Sequence, residues 1–300
     1  MTMETPPEIG AIEQAATEFA RRAGALLSER FHAGTAVRFK DRRRLDPVTD
    51  VDHATEAMLR EAVHARFPSH ALIGEEEDSS GPPEADYVWV VDPLDGTANF
   101  VNGLPLFTSS IGVLYRGEPL AGAIWVSSGP RLQAGVYHAA RGTSLQFNGL
   151  PLLRAPQTLD QANRLIAVPG GWRGGSGPRG RRLGIARTLG SIALELALTA
   201  DGSLGCCVIN DAKIWDVAGG IALCSAAGLQ VSAKGKEEDW RPFERFTGGD
   251  QGAPSVDGLR AWRERIVAGD PKAVQELTRG SARRQGRATR LRRLLPRARA

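Results

Sequence analysis

Trp89-Val90-Val91-Asp92-Pro93-Leu94-Asp95-Gly96-Thr97-Ala98-Asn99-Phe100 is the stretch on which the reading of this 300-residue chain turns. Residues 87–91 form an unbroken apolar run, which predicts a buried strand. At its end stand two carboxylates three residues apart, with a proline, a glycine and a hydroxyl. Asp-Pro and Asp-Gly are ordinary turn pairs, because Pro presets φ and Gly tolerates positive φ. Unpaired charge beside a core is nevertheless costly. No Lys or Arg lies between Gly81 and Arg116, so a metal ion is the local candidate for the missing positive charge.

Further acids stand at the ends of other apolar runs. Gly74-Glu75-Glu76-Glu77 follows Ala71-Leu72-Ile73, read as another strand end. Asp46-Pro47-Val48-Thr49-Asp50-Val51-Asp52 precedes a helix whose apolar stripe is Met58, Leu59, Ala62, Val63 and Phe67. Asp216 follows Trp215 at the head of an apolar segment running through Ile221 and Leu223. Each has a structural reading as well. Thr49 and Asp52 have capping-box spacing, residues 75–78 suit a solvated loop, and Asp216 suits a helix N-terminus. Taken together they offer carboxylates, a threonine hydroxyl and a backbone carbonyl near Pro93-Leu94. That is a hard oxygen set, suited to Mg²⁺, Mn²⁺ or Ca²⁺. His32, His53, His64, His70 and His138 show no zinc-ligand spacing. Mg²⁺ usually shares its shell with substrate phosphate, which points to phosphoryl chemistry.

These segments resemble the inositol monophosphatase family of metal-dependent, lithium-sensitive phosphatases. Its pattern is Asp-x-Val-Thr-x-x-Asp, Gly-Glu-Glu, Trp-x-x-Asp-Pro-x-Asp-Gly-Thr and Trp-Asp-x-Ala-Gly. All four occur here in order, at residues 46–52, 74–76, 89–97 and 215–219, within a resemblance spanning about residues 9–231. The haloacid dehalogenase phosphatases place their two aspartates two residues apart; the gap of three here argues against an aspartyl-phosphate nucleophile. The resemblance implies alternating αβαβα layers. It also implies a Mg²⁺-dependent phosphomonoesterase using a metal-activated water, with two or three ions, Mn²⁺ being an alternative.

By the same resemblance Glu75, Asp92, the Leu94 carbonyl and Thr97 would surround one ion, and Asp92, Asp95 and Asp216 a second. Glu75 or Glu76 would support a weaker third through water. Thr97 backed by Asp46, together with Glu75, would serve catalysis; Asp95, Gly96, Thr97, Gly190, Ser191 and Asp216 would contact substrate. Asn99-Phe100-Val101-Asn102-Gly103-Leu104-Pro105 resembles the inositol and sugar phosphatase branch of that family, which implies inositol or a related sugar or polyol phosphate as substrate. Bisphosphate nucleotidase and histidinol phosphatase activities are the alternatives. Animal inositol enzymes carry a Glu six residues before the Trp; a gapless count puts Ile209 there, with Asn210 and Asp211 the nearest polar groups.

Composition sets the frame. No apolar run is long enough to span a bilayer, and residues 1–8 lack the basic start and apolar stretch of a signal peptide. Cys206, Cys207 and Cys224 have neither disulfide-framework nor zinc spacing and read as core residues in a reducing compartment, hence the cytoplasm. Residues 277–300 carry nine Arg and no acid, so the formal +4 of the whole chain hides a body at −5. Such a tail offers an alternative role in binding RNA or a protein partner. A homodimer is expected from the family.

The expected organisation is an α+β unit over residues 1–150 with most metal ligands, an α/β unit over 151–235 completing the site, and an irregular segment with the Arg tail over 236–300. Periodicity predicts a helix over 11–31 with Ile12, Ala16, Phe19, Ala23 and Leu27 inward. A hairpin is expected across residues 116–119, sheet through 135–139 and the Phe147-Asn148-Gly149-Leu150 turn, a loop over 170–182, and buried helices over 190–200 and 213–228.

Overall fold

The computed structural model describes residues 8–33, 37–39, 47–130, 133–152, 154, 163–172, 184–236, 238–247 and 254–278. The chain opens with α1 (Ile9–Ala33), whose Ile12, Ala16, Phe19, Ala23 and Leu27 are all buried, as the period required. A short ribbon, β1 (Val37–Phe39) with β2 (Pro47–Thr49), leads into α2 (Asp50–Arg66). The capping box forms: Thr49 caps the helix, and Asp52 accepts its backbone N–H at 2.8 Å.

A seven-stranded sheet follows, built from β3 (Ala71–Gly74), β4 (Tyr87–Asp95), β5 (Thr108–Tyr115), β6 (Glu118–Val126), β7 (Gly135–Ala140), β8 (Gln146–Phe147) and β9 (Leu150–Pro151), neighbours in that order. The β5–β6 hairpin turns on Arg116-Gly117 alone, both at positive φ, which matches the twist of its strands. A short helix, α3 (Thr97–Val101), lies between β4 and β5. The second sheet has six strands in the order β11-β10-β12-β15-β13-β14. They are β10 (Leu165–Ala167), β11 (Ile185–Arg187), β12 (Cys206–Lys213), β13 (Gln230–Lys234), β14 (Arg241–Pro242) and β15 (Arg263–Gly269). Between them in sequence run α4 (Ile192–Ala200), α5 (Ile214–Ala226) and α6 (Val256–Arg260). Helical residues 271–278 complete the described chain.

Three apolar clusters define the layers. One joins α1 and α2 to one face of the first sheet; a larger one fills the space between the sheets around α4 and α5. The third, with Ile166, Val208, Val267, Ala273 and Val274, joins the outer face of the second sheet to residues 271–278. The order is therefore helix, sheet, helix, sheet, helix. Helix α5 reaches the first sheet because small residues meet there: a Cβ on Gly122 would stand 2.4 Å from the Gly219 carbonyl oxygen. That approach fixes the depth of the N-terminus of α5, and with it Asp216.

Two expectations change. Residues 92–95 do not leave the sheet as a turn; β4 runs on through Asp95, with an irregularity between Asp92 and Asp95. Residues 236–300 are not irregular throughout. Strand β15, with Ile266, Val267 and Ala268 buried, sits between β12 and β13, so the second layer pair extends well past residue 235. The sequence around it alternates poorly because its N-terminal half carries charge and only its C-terminal half is buried. Most of the loop expected at 170–182, and the tail beyond residue 278, lie outside the described residues.

Candidate active site

Strand geometry brings the two aspartates together. In a regular strand, side chains three positions apart point to opposite faces. Asp92 pairs with Ser110 and Asp95 with Thr108, so three residues on β4 face two on β5. The extra residue is a bulge, and it turns Asp95 back toward the side of Asp92.

Three of the acids are held by backbone donors. Asp92, 2% exposed, accepts the Leu94 N–H at 3.1 Å. Asp95 accepts the Ser191 hydroxyl at 2.7 Å and the Ala193 N–H at 2.6 Å, at the N-terminus of α4, where a carboxylate is favoured. Ser191 also caps α4. Asp216, in the first turn of α5, accepts the Lys213 N–H at 2.8 Å. Glu75 follows the last residue of β3 and lies 3.9 Å from Lys213 Nζ.

The acids share one electrostatic environment. Burial pushes the Asp92 carboxyl well above its usual range, and Glu75, Asp95, Asp216 and Asp52 push it further. Burial raises Asp95 to about 6 against the stabilising Ser191, Ala193 and Ile192 donors. Asp216 is raised to about 7, again chiefly by burial, with the Lys213 N–H opposing and Asp95 and Glu75 adding. Like charges gathered out of water want a cation or a proton. The carboxylates are turned to the donors just named, and among the described residues no three Asp, Glu, His or Cys side chains stand in closed coordinating geometry.

Thr97 donates from Oγ1 toward the Leu94 carbonyl at 3.0 Å and Asp52 Oδ1 at 3.3 Å. Asp46, expected behind Thr97, lies outside the described residues. Asp52, read as a capping-box partner and as the last acid of the Asp-x-Val-Thr-x-x-Asp pattern but not as a partner of Thr97, stands beside that hydroxyl. It is 2% exposed, and its Oδ2 takes the Thr49 hydroxyl at 2.6 Å while Oδ1 faces Thr97. Its position at the end of the Thr-x-x-Asp pattern was the available signal. Gly96, at φ 93°, packs against Gly190 and Ser191; a Cβ there would lie 3.2 Å from the Ser191 Cβ. The substrate-side residues Gly190 and Ser191 thus meet the Asp95-Gly96-Thr97 corner. Ile209 is buried, whereas Asn210 and Asp211 are exposed at a bulge of β12, with Asp211 at φ 53°.

Three other residues escaped the sequence reading. Glu56, fully buried, accepts the Glu76 and Glu77 N–H groups at 2.8 and 3.0 Å and pairs with Arg60 at 2.6 Å, so it shapes the loop that carries Glu75. Arg260 of α6 donates to the Gly74 carbonyl and lies over the Trp215 ring. Lys213 brings to Glu75 the positive charge that the local sequence lacks.

The chain is 30% identical over 268 residues to protein qutG of Emericella nidulans, covering 77% of this chain and 81% of that protein. To the Nus factor SuhB of Escherichia coli it is 29% identical over 271 residues, covering 87% and 92%. The solved structure of Mycobacterium tuberculosis SuhB matches with a TM-score of 0.67 at 25% identity, over 93% of this chain and 98% of that one. The family profile of the inositol monophosphatases matches residues 10–278, and the chain belongs to that family, as a phosphatase of the phosphoric monoester hydrolase class.

Proposed function

We propose that the chain hydrolyses inositol phosphate or a related sugar or polyol phosphate in a Mg²⁺-dependent reaction in which water is the nucleophile. The observation that carries this reading is the placement of the motif carboxylates at neighbouring element ends: Glu75 and Asp92 just past the paired Gly74 and Val91 of β3 and β4, Asp95 on the start of α4, and Asp216 bonded to the Lys213 N–H while Lys213 Nζ faces Glu75. All donors there are oxygens, which fits Mg²⁺. Glu75, Asp92, Asp95, Asp216 and the Leu94 carbonyl would hold the cations. When bound, such ions supply Lewis acidity to phosphoryl oxygens and acidify water.

The chain's own groups would do the rest. Thr97 Oγ1 would take a proton from the attacking water and pass its own to Asp52 Oδ1, the Oδ2 side being fixed by Thr49. Ser191 and the Ala193 N–H hold Asp95 in one orientation. A Cβ on Gly96 would meet the Leu106 carbonyl oxygen at 3.0 Å and one on Gly190 the Asn99 side-chain amide at 3.0 Å, so both glycines serve the close packing of this corner. We take the chain to act as a cytoplasmic homodimer, as inositol monophosphatases commonly do; among the described residues no helix is long and apolar enough to cross a membrane.

A panel of phosphomonoesters assayed with Mg²⁺, with EDTA and with lithium tests the proposal. Hydrolysis that needs Mg²⁺, stops with EDTA and weakens in millimolar lithium is expected. EDTA-resistant turnover would overturn it. A second reading, RNA binding through the Arg-rich residues 277–300, rests on the tail's charge and on the relative called a Nus factor. Salt-dependent RNA retention that vanishes on deleting those residues would establish it.

A further inference from the structure

Beside Glu75 lies a group of donors that the reaction above does not use. Lys213 Nζ stands 5.2 Å from the centre of the Trp215 ring, the Arg260 guanidinium 5.4 Å and the Arg263 guanidinium 5.3 Å. A ring has two faces, and a single cation over one of them already makes the attraction to its π-system; three cations around one ring repel one another. Trp215 is 5% exposed, and its indole N–H has no acceptor among the described residues. A buried donor without an acceptor is costly.

Arg260 spends one N–H on the Gly74 carbonyl, and Arg263 donates to the carbonyls of Arg260 and Trp262 at 3.3 and 2.8 Å. A guanidinium carries five N–H donors, so both have donors beyond these. The one carboxylate paired with the three cations among the described residues is Glu75, at Lys213. All four groups are donors, and they adjoin the acid cluster through Glu75 and through the Trp215-Asp216 junction. The arrangement is fixed by β15 and α6, which carry Arg263 and Arg260 against the start of α5.

We propose that Lys213, Arg260, Arg263 and the Trp215 N–H form a subsite for a second anionic group on the substrate. The preferred substrate is then a small phosphate monoester whose carbon skeleton bears another phosphate or a carboxylate. Charge-assisted bonds from Arg and Lys are the strong kind, and an anionic oxygen among these groups would give the indole N–H the acceptor it lacks. The proposal rests on the phosphatase reading and narrows its substrate.

The test compares matched pairs with Mg²⁺: fructose bisphosphate against fructose monophosphate, adenosine bisphosphate against adenosine monophosphate, and phosphoglycerate against glycerol phosphate. The doubly anionic member of at least one pair should be preferred about tenfold or more in kcat/KM, the gain lying mainly in KM. The first two pairs identify a second phosphate, the third a carboxylate. Arg263→Met and Lys213→Met should each reduce that ratio about tenfold. A ratio near one in the wild type for every pair, or one that neither variant changes, overturns the subsite while leaving the phosphatase intact. Failure to hydrolyse any member of these pairs, or inositol phosphate assayed beside them, instead condemns the parent reading.

Discussion

Glu195 offers a test of the site's electrostatics that needs no metal. It lies in α4 and is 5% exposed. Burial raises its carboxyl to about 7 from the usual 4.5; the Leu189 N–H opposes the shift, Asp95 adds to it and the Gly190 N–H again opposes it. A carboxyl raised in the folded state stabilises the fold fully below its unfolded pKa, and that contribution is lost as pH climbs through the folded value. Between about pH 5.5 and about pH 7.5 the loss comes to about 2 kcal/mol. Glu195→Gln keeps an oxygen to accept the Leu189 N–H (2.8 Å in the wild type) and cannot ionise. With an unfolding entropy of about 2.1 cal/mol/K per residue, the spared loss corresponds to about 3 °C in Tm.

The assay is thermal unfolding of EDTA-treated wild type and variant at both pH values. The Tm of the variant relative to wild type should rise by about 3 °C from the lower pH to the higher. His70, whose pKa burial lowers, titrates in the opposite sense, but it is common to both proteins and cancels in the difference. A difference that is equal at the two pH values, or that shrinks as pH rises, refutes the raised carboxyl.

Three further outcomes are expected. Asp95→Asn should abolish turnover while circular dichroism and Tm report an intact fold, since size is kept and the ligand charge is lost; full activity would remove Asp95 from the site. Thr97→Val should lower kcat by about a hundredfold or more, the scale of a lost proton-transfer group, with a smaller change in Mg²⁺ affinity by calorimetry. Equal losses in both would make Thr97 a ligand only. Gly74→Ala would put a Cβ 2.1 Å from Glu56 Oε1, a carboxylate locked by Arg60 and by the Glu76 and Glu77 N–H groups. Overpacking of about 1–3 kcal/mol should appear in chemical denaturation, with a higher Mg²⁺ requirement as the Glu75 loop shifts; an unchanged midpoint would argue that Glu56 moves freely.

Much of the fold was legible because its signals are local. The burial of α1 follows from its 3.6-residue period, the β5–β6 turn from Arg116-Gly117, and the start of α2 from Thr49 and Asp52. The acids of the site were legible because charge at the end of an apolar run is anomalous wherever it occurs. Strand β15 was missed because its burial comes from a central place in the sheet, between neighbours more than thirty residues away in sequence.

Sequence alone determined which acids and hydroxyls stand at the ends of the apolar runs and in what order along the chain, since motif spacing and apolar runs are properties of neighbouring residues. Tertiary structure decided how they are used. The bulge that turns Asp95 toward Asp92 depends on pairing with β5, and the orientation of Asp95 depends on α4 arriving with Ser191 and Ala193. The cations of Lys213, Arg260 and Arg263 meet over one tryptophan because β12 and β15 are paired and α6, tied by Arg260 to the end of β3, leads directly into β15. Local sequence fixes what a residue offers; only packing across distant segments fixes what it faces.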